Sequence, residues 1–211
     1  MSDATMRSQM WRSLCVCFSP PVRDVWEDVL AEGSFYCIYP MGDLSPHTLD
    51  PDNYRIKPGM SLDKLSQTYS SCFESGNESA SFHERVYNTD ATSQLFEELF
   101  RYYEHFGLDM KGNDNANWPD SILVELDFMH YLSHLESIAT SEDDVLSLQR
   151  GQRDFLQRHL SPLAVGLTEK LSAMKISPYD QLAKLLNDFV SRDCDYLARK
   201  VDGMLAISMV E

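Results

Sequence analysis

Apolar residues recur along most of the chain at three- and four-residue steps, the period of an α-helix that buries one face. Between Thr92 and Phe106 the stripe is Leu95, Leu99, Tyr102 and Phe106, with Glu97, Glu98, Arg101 and Glu104 on the other faces, and Gly107 supplies a stop. A second helix is expected from about Asp144 to His159, capped by Ser141 with Asp144 three residues on, and broken where Ser161-Pro162 forces a new start. Leu163, Leu167, Leu171 and Met174 mark a short helix beyond that break. Ser177-Pro178-Tyr179-Asp180 reads as a further start, with a serine cap, proline in the first position and an acid near the positive end of the dipole. Its buried stripe is Leu182, Leu185, Phe189 and Tyr196. At the front, Met6, Met10, Leu14 and Cys17 share a face, and a short helix follows Pro21 around Val22 to Leu30. Alternating β-branched runs and Asn-Gly turns are missing, so the pattern predicts an all-α protein.

Two stretches interrupt the helical period. Residues 33–59 carry Pro40, Pro46, Pro51 and Pro58 and read as a long irregular loop; residues 107–119, rich in Asn, Asp and Gly, join two strong helices. With 211 residues and 43% apolar content, the chain is expected to form one domain over 1–211 whose stability rests on packing without a disulfide or metal staple. The five cysteines, Cys15, Cys17, Cys37, Cys72 and Cys194, are scattered and never spaced C-x-x-C, which fits reduced thiols in the cytoplasm. No run approaches the roughly 18 to 20 apolar residues of a membrane span, and the opening stretch through Pro21 reads as neither a secretory signal nor a transit peptide.

Charge changes the picture. Against 18 basic residues stand 33 acidic ones, a formal net charge of −15, which is the wrong sign for phosphate backbones or anionic membrane and the right one for a basic ligand. Residues 95–144 hold 2 basic and 12 acidic residues, two thirds of the net charge. One reading of this stretch is a solvated acidic face. The other is a cation-receiving groove, because the acids are interleaved with Phe100, Tyr103, Trp118, Phe128 and Tyr131. Glu125 stands among Ile122, Leu126, Phe128, Met129 and Leu132, where a carboxylate would be partly desolvated and either gains from a basic ligand or closes an internal ion pair.

Catalytic constellations are weak. His130 and His134 lie at i and i+4 with Asp127 on nearly the same face, a possible metal pair, but Tyr131 stands where a zincin would have its glutamate. Phosphate-binding glycine loops and nucleophile elbows are missing, so no catalytic residue and no cofactor is expected.

The segment Trp118-Pro119-Asp120-Ser121-Ile122-Leu123-Val124-Glu125-Leu126-Asp127-Phe128-Met129 resembles the P-D-H-(x)-x-x-E-L-E-F-M block of the TorD, DmsD and NarJ family of redox-enzyme maturation chaperones. It follows a helix end, Tyr103-Glu104-His105-Phe106-Gly107-Leu108, of the Y-x-x-x-G-L type. Weaker echoes stand in the family's order: Trp11 to Leu14 running into Phe18-Ser19-Pro20-Pro21, Tyr69 to Gly76 with Glu84-Arg85-Val86-Tyr87, and Phe155 to Leu160. The resemblance implies a compact all-helical bundle of the TorD-like type without catalytic activity. It further implies a cytoplasmic chaperone that binds the twin-arginine signal peptide of a molybdenum-cofactor oxidoreductase subunit until its cofactor is in place and export proceeds. Pro119 and Asp120 match family positions associated with signal-peptide binding, whereas Ser121 stands where the family usually has His. The expected signal-peptide site is therefore Tyr103, Trp118, Pro119, Asp120, Ser121 and Glu125. For Asp120 a helix N-cap is the alternative role, and for the whole chain the alternative is a helical adaptor for an unrelated basic partner.

Overall fold

The computed structural model describes residues 2–35, 49–56, 59–74, 80–88, 91–109 and 118–208. Among these residues the chain forms eight α-helices and no strand: α1 (Asp3–Phe18), α2 (Arg23–Glu32), α3 (Leu62–Tyr69), α4 (Thr92–His105), α5 (Ile122–Ile138), α6 (Glu142–Phe155), α7 (Ser161–Met174) and α8 (Tyr179–Ser208). Most of the expected stripe residues are buried, but Met6, Tyr102 and Phe106 are half-buried, with Tyr103 taking the inner position on α4, and Met174 is exposed. Leu95 and Leu99 of α4, Leu163, Leu167 and Leu171 of α7, and Leu182, Leu185, Phe189 and Tyr196 of α8 all lie inside, as do Met10, Leu14 and Cys17 of α1. Each such side chain contributes about 1.5–3 kcal/mol by leaving water. Helix α4 stops at Gly107 with φ of +83°, a left-handed turn that costs glycine nothing.

Helix α5 is the centre of the assembly. It packs most extensively against α1 and also against α6, while α8 receives α6 and α7. Trp11 of α1 meets Phe189 of α8 edge-on at 4.6 Å, and Phe128 of α5 meets Tyr103 of α4 at 4.9 Å and Phe155 of α6 at 4.8 Å.

Three boundaries differ from the sequence pattern. The expected helix from 144 to 159, preceding a break at Ser161-Pro162, is instead α6 from Glu142, a wider π turn over Leu156–Leu160, and α7 beginning at Ser161. The Ser161 N–H donates to Leu156 O, five residues back, and Pro162 then sits in the first turn of α7, where no N–H is required. The chain thus passes the proline without a loop. Helix α8 opens at Tyr179, later than the Ser177 cap implied, with the Pro178 carbonyl accepting from the amides of Gln181 and Leu182. The Ser141 cap does form, its hydroxyl accepting from the Asp144 amide.

Of the expected loop over 33–59, residues 36–48, with Cys37, and residues 57–58 lie outside the described ones, as do residues 110–117 of the acidic loop and 75–76 of the Tyr69 echo. The part of the first loop that is described holds a 3₁₀ turn at Pro51–Tyr54, whose buried Tyr54 donates to Asp188 of α8 at 2.7 Å. Helix α3 and the π turn that continues it over Ser70–Glu74 were not marked by the period; their Tyr69 and Phe73 join Phe82 and Tyr179 in one aromatic cluster.

Candidate functional site

The head of α5 is fixed by a short antiparallel contact with residues 82–84. The Ile122 amide donates to Phe82 O at 2.8 Å and the Glu84 amide to Asp120 O at 2.9 Å, around a His83–Ser121 bridge. A 3₁₀ turn at Glu84–Val86 follows, and Tyr87 lies over Gly166 of α7. A Cβ on Gly166 would come within 2.3 Å of the Tyr87 ring, so only glycine lets this segment approach.

These contacts bring three carboxylates together out of solvent: Glu84, Asp120 and Glu125 are each fully buried. Glu84 accepts from Asn88 Nδ2 at 2.7 Å and lies 3.2 Å from His159 Nδ1. Asp120 is engaged by Arg85 Nε at 3.3 Å, by the Arg85 amide at 3.3 Å and by His83 Nδ1 at 3.2 Å. No donor reaches either oxygen of Glu125. Burial, then the charges of Glu84 and Asp120, hold the Glu125 carboxyl well above the usual carboxylate range, and in its protonated form it has a hydroxyl to share with Glu84.

Four of the six expected site residues, Tyr103, Pro119, Asp120 and Glu125, therefore do meet, but inside the protein rather than along an open groove. Tyr103 is buried and donates its hydroxyl to Pro119 O at 2.7 Å; burial, then the charges of Glu125, Glu84 and Asp120, push its phenol up. Ser121 occupies the N-cap position of α5 but makes no side-chain cap bond. Asp120, weighed as a cap, holds Arg85 instead. Trp118 alone of the six is open to solvent, at 53% exposure, with the Arg85 guanidinium 4.8 Å from its ring centroid and Phe96 tilted against it at 5.9 Å.

An adjoining face of α5 borders a cavity of about 510 Å³ between α1, the end of α4 and α5. Leu123, Val124, Phe128 and Tyr131 wall it, Asp109 and Asp127 put carboxylates on it, and Tyr103 lines it as well. The cavity and the Trp118–Ser121 turn thus share Tyr103 as a common wall. Cys15 lies on the α1 side, and burial pushes its thiol up to about 11.

Of the candidate metal pair, His130 is engaged elsewhere. His130 Nδ1 is 2.8 Å from Ser8 Oγ and 2.9 Å from Ser8 O, tying α5 to α1, and among the described residues no three His, Cys, Asp or Glu side chains converge to hold a metal ion. Among the described residues no helix is long and apolar enough to cross a membrane.

His83, Glu84, Arg85, Phe96 and His159 also belong to this region, and the sequence pattern does not mark them as site residues. Two of them, Glu84 and Arg85, stand in a segment already noted for its family likeness, and His159 in another. Their convergence was hidden because residues 35 to 75 positions apart along the chain form the bonds.

The described residues thus form an all-α protein with a buried acid cluster at the head of α5. The sequence profile of the nitrate reductase delta subunit family matches residues 55–169, more than half of the chain, and the chain belongs to this family, that of the NarJ and TorD proteins. It is 29% identical over 199 residues to the dimethyl sulfide dehydrogenase assembly chaperone protein of Rhodovulum sulfidophilum, covering 89% of this chain and 78% of that one. To the perchlorate reductase assembly chaperone protein of Dechloromonas aromatica (strain RCB) it is 34% identical over 110 residues, 50% of this chain and 49% of the relative. Both relatives are named for assembling an enzyme, not for catalysis.

Proposed function

We propose that this chain is a cytoplasmic assembly chaperone that binds the apo catalytic subunit of a molybdenum-cofactor oxidoreductase through its twin-arginine signal peptide, before cofactor insertion and export. Family membership and the two assembly-chaperone relatives support the chaperone role. The observation that carries the ligand is the cavity beside α5, which combines apolar walls from Leu123, Val124, Phe128 and Tyr131 with the carboxylates of Asp109 and Asp127. A signal peptide has complementary chemistry, guanidinium groups ahead of an apolar run. Carboxylates at the rim steer the cations and set salt dependence, while the walls take the apolar run out of water.

In this reading Trp118 and Tyr103 offer ring surface and Asp120 a carboxylate. Pro119, Ser121 and Glu125 act from beneath, fixing the turn on which those groups stand. Titration of the whole protein with a fluorescent twin-arginine leader peptide tests the proposal. Binding should weaken when both arginines become glutamine, when salt is raised, and in Val124→Glu, which places a charge on the apolar wall. Equal binding of the glutamine peptide would refute it, and capture of a basic partner without such a leader would favour the adaptor reading.

A further inference from the structure

The corner made by Trp118, Phe96 and Asp120 already contains a guanidinium, that of Arg85. Its central carbon lies 4.8 Å from the Trp118 centroid and 5.4 Å from that of Phe96, and its Nε is 3.3 Å from Asp120 Oδ2. Two aromatic rings and one buried carboxylate around a planar cation are the elements of an arginine receptor. The occupant is not sealed in. The Arg85 side chain keeps 26% of its surface in solvent and Trp118 keeps 53%, so a route to the wholly buried Asp120 runs along the arginine itself.

We propose that Trp118, Phe96 and Asp120 form a guanidinium-binding subsite that Arg85 fills in the free chain and yields to an arginine of the client peptide. The proposal rests on the arginine-bearing ligand inferred above and adds a self-ligand to it. Exchanging one guanidinium for another conserves the ion pair and both ring contacts, so Asp120 is never left buried without a cation. Competition from Arg85 lowers the apparent affinity of a guanidinium ligand in proportion to the fraction of molecules in which the subsite stands open, and a ligand that does not enter the subsite is unaffected. Arg85 thereby serves as a built-in competitor that keeps Asp120 paired in the free chain and sets how tightly a guanidinium ligand binds.

Arg85→Gln tests this directly, with circular dichroism to confirm helical content. Trp118 is a built-in reporter, because Trp11 and Trp26 are fully buried and a neutral quencher such as acrylamide reaches Trp118 first. The variant should show stronger quenching, and ethylguanidinium should restore the shielding. It should bind the twin-arginine leader on the order of tenfold more tightly than the unaltered protein. The glutamine-substituted leader should gain nothing. Weaker or equal leader binding by the folded variant would overturn the proposal, because Arg85 would then be a support or a bystander. If Arg85→Gln does not fold, Arg85→Lys keeps the charge without the planar fork and should tighten leader binding to a smaller degree; no tightening there counts equally against it. Should the leader bind neither protein, the signal-peptide reading fails. Ethylguanidinium protection of Trp118 in the variant still decides the subsite, its presence supporting it and its absence overturning it.

Discussion

Two buried arginine–carboxylate clusters sit in this molecule, and they are built differently. In the first, Arg7 of α1 bonds Asp193 of α8, Glu136 of α5 at 2.7 Å and Gln152 of α6 at 2.6 Å, with only 1% of its side chain exposed. Gln149 and Gln152 donate to the two oxygens of Glu136 at 2.7 and 2.8 Å, and Ser133 donates to Gln152. Burial works against the Arg7 charge, yet Asp193 and Glu136 outweigh it and hold the guanidinium protonated. In the second, three carboxylates share a site whose arginine lies at the surface, and both oxygens of Glu125 lack a donor. The sealed cluster ties four helices and has nothing to exchange. The open one holds its cation at the edge of solvent, which makes it the place where one cation can be exchanged for another.

Replacing Arg7 by methionine should have the largest effect, because Glu136 and Asp193 would remain buried without their cation. A loss of about 3–5 kcal/mol in urea unfolding is expected. A loss below about 1 kcal/mol would mean that the two acids simply take up protons, and the contrast between the clusters would collapse.

Asp120→Asn should cost less, about 1–3 kcal/mol, since its partner Arg85 can turn to water. Leader affinity should fall with it, measured by anisotropy.

Glu125→Gln should go the other way. Because the folded-state carboxyl titrates above its unfolded value of 4.5, the native state holds a proton that the unfolded chain has released. Stability is therefore greatest below pH 4.5 as far as this group is concerned, and declines as pH rises from there through the folded pKa. The glutamine variant escapes that decline, and its free energy of urea unfolding should exceed that of the unaltered protein by an amount that grows with pH, on the order of 1 kcal/mol near neutrality. A destabilised variant would show that Glu125 is ionised and paired.

Trp118→Ala is the mildest for the fold, within about 0.5 kcal/mol, because the ring is mostly exposed. Its effect should appear in leader binding alone, through the lost stacking on a guanidinium.

Several parts of this architecture could be read from residue order because they depend on near neighbours. The period of Leu95, Leu99, Tyr102 and Phe106 places α4, Gly107 ends it, and Ser141 starts α6. Glu125 was legible as a carboxylate out of water, and it is buried, but its acidic neighbours Glu84 and Asp120 were not legible, because they reach it only in the folded chain. Pro162 was legible as an interruption but not as a π turn, since a wider turn and a loop satisfy the missing N–H equally well in one dimension. Arg7 gave no such signal: it lies among polar residues near the chain start, and its partners Glu136, Gln152 and Asp193 are at least 129 positions away.

The order of apolar and polar residues by itself determined that this protein is helical, acidic and marked at Trp118–Met129, because helix period, charge and local motif are properties of adjacent residues. Which acids lose their water, which arginine stands beside Asp120, and which face of α5 borders a cavity were decided only when α1, α4, α5 and the 80–88 segment packed together. Desolvation and ion pairing depend on distance in space, and that distance does not exist until the chain has folded.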